Sequence, residues 1–119
     1  MMQLSPQMKI WLLVEPCDFR KGIDGLAGVC RARLSEDPFS GALFLFRNRR
    51  RTAIKGLIYD GQGFWLWMKR LSKGRFSYWP QADTLHPQAA RLLSRELSVL
   101  FWNGDPSKAL MGSDWKRIE

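Results

Sequence analysis

Residues 41 to 70 read GALFLF, RNRRR, TAIKGLIYD, GQG, FWLWMKR: three apolar runs of strand length separated by two polar links. The second link contains Asp60-Gly61, a pair that tolerates positive φ and is among the strongest short-range hairpin signals. The runs 42–46, 53–59 and 64–69, with a fourth at RFSYW (75–79) closed by Pro80, predict an antiparallel meander. Its first link, Arg47-Asn48-Arg49-Arg50-Arg51, places four guanidinium groups within five residues. A short link between neighbouring antiparallel strands puts them in water at one end of the sheet, where solvent and salt soften their repulsion and a concentrated positive potential remains.

Side-chain alternation divides the strands into faces. In the third run Phe64, Leu66 and Met68 share one face, and Trp65, Trp67 and Lys69 the other. In the second, Ile54 and Ile58 fall on one side, and Lys55, Leu57 and Tyr59 on the other. The purely apolar face predicts contact with a helix. The opposite face, mixing tryptophan, tyrosine and lysine, suits base stacking, cation–π contact or a protein interface. The same indoles serve as core if a C-terminal helix covers them.

Outward from this block, MKIWLLV (8–14) lies between Pro6 and Pro16 and reads as a buried strand. Ile23, Leu26, Ala27, Cys30 and Leu34 recur at helical spacing and predict an amphipathic helix over about 20–35, with Asp18 or Asp24 near its positive end. Its glycines, Gly22, Gly25 and Gly28, weaken it by about 1 kcal/mol each, which predicts compensation by close packing on the sheet. DPFSG (37–41) stops it. Beyond Pro80, ADTLHPQAARL suggests a turn of helix from Pro87 with His86 at its cap. LSRELSVLFWNGDP (93–106) predicts a short helix with Ser94 as N-cap, Leu97, Leu100 and Phe101 on its stripe, and Asn103-Gly104 as C-cap. The expectation is an α+β fold: a meander of about four or five strands, an amphipathic helix on one face and a short C-terminal helix. It occupies a single domain over 1–106, with a polar tail over 107–119.

A chain of 119 residues buries roughly two thirds of its unfolded surface without staples. Cys17 and Cys30 read as buried thiols, and with His86 they form no metal-ligand spacing, so no metal or cofactor is expected. No membrane span or signal peptide is evident, which points to the cytoplasm. Nineteen Lys and Arg face eleven Asp and Glu, for a net charge of +8. Residues 47–75 hold nine of those cations and a single anion, Asp60, while the rest of the chain carries ten of each sign. An excess confined to one segment argues for a localised anionic partner. Neither a phosphate-binding glycine loop, nor paired zinc ligands, nor a nucleophile elbow is present, so the sequence reads as non-catalytic and without a small-molecule substrate.

The order DFRKGIDGLAG (18–28), DPFSGALFLF to SYWP (37–80) and LSRELSVLFWNGD (93–105) resembles the TnpB accessory proteins, encoded by the second open reading frame of insertion sequences of the IS sixty-six type. The resemblance covers most of the chain. It implies a non-catalytic role in transposition beside two companions, the large transposase and another small protein of the element. Asp18, Arg20, Lys21 and Gly22 match the family's DxRKG element, Arg47 and Arg49 to Arg51 its basic hairpin, and Asp60-Gly61 its turn. Lys69-Arg70 and Gly74-Arg75-Phe76 match its later basic block, whereas 81–91 is less characteristic. An RNA-guided nuclease shares the TnpB name, but this chain is too short for that enzyme and lacks its cysteine pairs.

Two readings follow. In the first, Arg47, Arg49, Arg50 and Arg51 contact DNA phosphates, supported by Lys69, Arg70, Lys73 and Arg75, with weak sequence selectivity. In the second, the chain is an assembly factor that docks on the transposase through its basic surface and through Trp65 and Trp67, without binding DNA. Asp18 is expected to cap the first helix and pair locally with Arg20 and Lys21.

Overall fold

The computed structural model describes residues 8–82 and 87–103. Two runs with almost no polar side chain form its centre. β1 (Ile10–Leu13) is buried throughout, and β2 (Leu43–Arg47) is buried up to its final arginine. They pair in parallel, Ile10 opposite Leu43 and Leu12 opposite Leu45. Strands buried on both faces carry continuous apolar runs, as these do. Parallel pairing also requires a crossover, supplied by α1 (Ile23–Arg33).

β3 (Ala53–Tyr59) and β4 (Phe64–Arg70) extend the sheet antiparallel from β2, the meander expected for this block. On the other flank β5 (Ala89–Leu92) pairs antiparallel with β1, giving the order β4-β3-β2-β1-β5. The fold is therefore α+β with a mostly antiparallel five-stranded sheet.

Two expected elements differ. RFSYW is not a strand: Gly74 turns the chain at φ +74°, and the segment crosses the sheet face, where Phe76 and Trp79 bury their rings and the Trp79 indole donates to Leu13 O at 3.1 Å. Residues 89–92 form a strand rather than a helical turn, because the open edge of β1 needs hydrogen-bond partners and Ala89, Ala90 and Leu92 suit a buried position there. His86, Gly104, Pro106 and the expected tail lie outside the described residues.

Each face of the sheet has its own core. α1 seats Leu26, Ala27 and Cys30 against Trp11, Leu13, Phe44, Phe46 and Leu57. α2 (Ser94–Phe101) seats Leu97 and Leu100, with Phe76 and Trp79, against Ile10, Leu12, Leu43, Leu45 and Ile54. The N-cap of α2 is Leu93 rather than Ser94, since the extended backbone ends there, and the Glu96 carboxylate reaches back to accept the Leu93 N–H at 2.8 Å. Asn103, in the left-handed region at φ 62°, ends it.

The β3–β4 register corrects the expected faces. Ile54, Gly56 and Ile58 lie opposite Lys69, Trp67 and Trp65, so both isoleucines belong to the tryptophan face under α2. α1 covers the face with Leu57, Phe64 and Leu66. The pairing joins odd positions of one strand to even positions of the other, which alternation within each strand does not reveal.

The expected close packing of the α1 glycines on the sheet is absent. Gly28 has nothing within 4 Å of a notional Cβ, and Gly25 faces the Lys21 side chain. The glycine that is required sits in β3, where a Cβ at Gly56 would overlap the Trp67 indole.

The first hairpin link is built around Asn48. Its Oδ1 accepts the N–H groups of Thr52 (2.9 Å) and Ala53 (3.2 Å), and its Nδ2 donates to Thr52 Oγ1 at 2.7 Å. Arg51 occupies the left-handed region at φ 58°, and its N–H donates to Asn48 O at 3.2 Å. The asparagine supplies the acceptors that an arginine-rich link lacks.

Gly56→Ala should lower stability by about 1–3 kcal/mol through overpacking against Trp67, whereas Gly28→Ala should raise it by about 0.5–1 kcal/mol. Urea unfolding midpoints of both variants check the opposed signs. Asn48→Ala should cost about 1–3 kcal/mol and strip hydrogen-exchange protection from the Thr52 and Ala53 amides, because two N–H groups lose their acceptor.

Candidate nucleic-acid interface

β2 ends, β3 begins and β4 ends at the same end of the sheet, since Arg47 pairs with Ile54 and Ala53 with Arg70. The chain stays there beyond Arg70. Leu71 N–H donates to Thr52 O at 2.9 Å and Phe76 N–H to Arg51 O at 2.7 Å, holding 71–76 against the arginine link. Asn103 secures the same segment from the end of α2: its Oδ1 accepts the Ser77 N–H at 2.7 Å and its Nδ2 donates to Arg75 O at 3.1 Å. Arg49, Arg50 and Arg51 thus share one rim with Arg70, Lys73 and Arg75. All but the partly buried Arg51 are exposed. Among the described residues none of the six has a carboxylate within 4 Å; the ion pair present joins Arg20 to Asp18.

Arg47 and Lys69 have different surroundings. The Arg47 Nη1 donates to the carbonyls of Asn48 (3.2 Å) and Arg49 (3.4 Å), so this guanidinium props the link from beneath, and its Nε is buried without an acceptor among the described residues. Burial, followed by Arg51, pulls its pKa below the usual arginine value, while Glu15 acts the other way. Lys69 points to the α2 face, donates to Phe101 O and lies 5.2 Å from the Trp102 ring centre. It caps the negative end of α2.

The tryptophans are separated by α2. Trp67 is half-buried, edge-on to Phe101 at 5.2 Å between ring centres. Trp65 remains 51% exposed and donates its indole N–H to Asp60 Oδ2 at 2.8 Å. Asp60 lies at the opposite end of the sheet from the arginines, roughly 20 Å away along β3. The Gly63 and Gln62 N–H groups, then Trp65, hold its carboxyl below the usual range, so this acid belongs to its own turn.

The DxRKG element forms a locally paired turn. Asp18 binds the Arg20 guanidinium at 2.8 Å and accepts the Arg20 N–H at 2.9 Å, which holds its carboxyl down at about 2. It does not cap α1, whose N-cap is Gly22 without a side-chain bond. The anchor is a residue that sequence reasoning left unassigned: Lys55 Nζ donates to the carbonyls of Phe19 (2.8 Å) and Lys21 (3.0 Å). Its signal was a lysine on the same strand face as buried Leu57. Lys21 is exposed, and Cys17 N–H donates to Arg47 O at 2.9 Å, so the element begins beside the arginine link.

Both cysteines are buried, and burial pushes the Cys30 thiol up to about 12 and raises that of Cys17. Among the described residues no three His, Cys, Asp or Glu side chains gather into a potential metal site, and no helix is long and apolar enough to cross a membrane.

Comparison with known proteins places this geometry in a family. Two uncharacterized proteins of Sinorhizobium fredii are similar over nearly the whole chain. One, y4jC, is 30% identical over 97% of this chain and 87% of its own length. The other, y4hO, is 33% identical over 98% of this chain and 90% of its own. No solved structure matches. The family described as IS66 Orf2 like protein matches residues 8–110, which contain both cationic segments and the DxRKG turn, and the chain belongs to that family of insertion-sequence accessory proteins.

Proposed function

We propose that the cationic rim is a DNA-binding surface through which this accessory protein supports its element's transposase. Arg49, Arg50 and Arg51 on one side and Arg70, Lys73 and Arg75 on the other contact backbone phosphates. Arg47 sets the height of the link, and Lys69 holds α2 instead of DNA. The observation that carries this reading is the convergence of two separate chain segments on one rim, with no carboxylate within 4 Å of its six cations among the described residues. A folded chain that gathers like charges at one place leaves an electrostatic cost that a polyanion relieves, and arginine's planar fork suits paired phosphate oxygens. Phosphate contacts position a protein without reading bases, so sequence selectivity is weak.

A second reading rests on Trp65. Its exposed indole, with Met68 55% exposed on the other face of the same edge strand, offers an apolar anchor for the transposase. Trp67, beneath α2, contributes to packing on this view.

For six phosphate contacts, the logarithm of duplex affinity should fall against the logarithm of salt with a slope of about −5.4. Replacing Arg49, Arg50 and Arg51 with serine should bring the slope to about −2.7 without changing the circular dichroism spectrum. An unaltered slope refutes the DNA surface. For the second reading, co-purification with the transposase from nuclease-treated lysate should be lost on Trp65→Ala; a complex that survives the change removes the indole from the interface.

A further inference from the structure

Beneath the arginine link lies a cleft of about 580 Å³, bounded by Glu15 after β1, by Arg47 and Arg51, and by Ser77, Tyr78 and Trp79 of the segment that crosses the sheet. Its volume is that of a small-molecule site rather than of a packing defect. Two guanidiniums face the same space, and one of them, Arg47, keeps a buried Nε donor without an acceptor among the described residues. Glu15 offsets one of the two cations that line the cleft, so the confined volume keeps a net positive charge that favours an anion. Trp79 forms a rigid wall, since its ring is buried and its indole N–H is fixed on Leu13 O at 3.1 Å. The Tyr78 ring is only half-buried on the same lining, and the Ser77 hydroxyl adds a neutral polar group. The cleft therefore joins an anion-binding corner to an aromatic wall, within a space too small for a duplex but adequate for one nucleotide.

We propose that the cleft holds a single nucleotide unit of an unpaired DNA strand, its phosphate between Arg47 and Arg51 and its base against Tyr78. This rests on the rim being a DNA surface: a duplex lying across Arg49, Arg50, Arg51 and the 70–75 segment brings a frayed or single-stranded end to the mouth of the cleft, where Arg51 borders both surfaces. Stacking of one base on an aromatic ring supports roughly a tenfold gain in affinity.

Fluorescence anisotropy with the full chain tests it, using a short blunt duplex and the same duplex with a single-stranded extension of a few thymidines. The extension should tighten binding about tenfold. Tyr78→Ala should abolish that gain while leaving blunt-duplex affinity in place, and Tyr78→Phe should retain it. Equal affinity of the native protein for the two duplexes overturns the cleft and leaves the rim standing; failure to bind either overturns both. Because the native comparison decides alone, a misfolded variant does not rescue the idea. Thymidine monophosphate titrated alone separates the sources: tight binding without any gain from the extension overturns the strand assignment in favour of a free nucleotide.

Discussion

The parallel pairing of β1 with β2 is the constraint from which the other features descend. Apart from Arg47 at the end of β2, both strands lack side chains able to face water, so their backbone groups must be satisfied by neighbours and their two faces covered. A parallel pair cannot be closed by a turn, and the chain has to leave the end of β1, cross one face as α1 and return. That journey brings Cys17 beside Arg47 and starts the DxRKG turn there. Antiparallel additions on either flank then bring the start of β3, the end of β4 and the start of β5 to the same end.

The cations at that end are organised by neutral groups. Asn48 closes the arginine link, Asn103 ties the second basic segment to α2, and backbone bonds from Leu71 and Phe76 join the two. Among the described residues no carboxylate forms an ion pair with this assembly: Asp60 serves the far turn and Asp18 is occupied by Arg20. Amide scaffolding leaves positive charge uncompensated where carboxylate scaffolding would have cancelled it. The division of labour among the cations follows from alternation. Lys55 and Lys69 point to opposite sheet faces and hold α1's approach and α2's end, while Arg70 and the residues beyond reach water.

Much of this was legible in the chain. The 41–70 block contains its own strands and turns, and the charge excess over 47–75 falls on the segments that form the rim, although Arg47, Lys55 and Lys69 within it bind backbone carbonyls instead. Relations between segments were not legible. Ile54 and Ile58 were assigned to the wrong face because strand alternation fixes parity within a strand and says nothing of register across a turn. RFSYW has strand-like composition, yet with β4 at the sheet edge it folds back over the face to supply core that α2 is too short to provide. AARL looks helical by propensity, and only the open edge of β1 makes it a strand. Lys69 and Lys55 counted as free charge because their partners are backbone carbonyls 32 and 36 residues away.

Gly56 and Trp67 occupy paired positions on adjacent strands, one missing a side chain where the other lays its indole. Neither choice makes sense by itself: a bare position in a buried strand leaves a hole, and an indole there has no room over a methyl group. The two sites therefore form a single steric unit, in which bulk added at 56 is accommodated by bulk removed at 67. A change of size at either position is felt at once by its neighbour across the sheet.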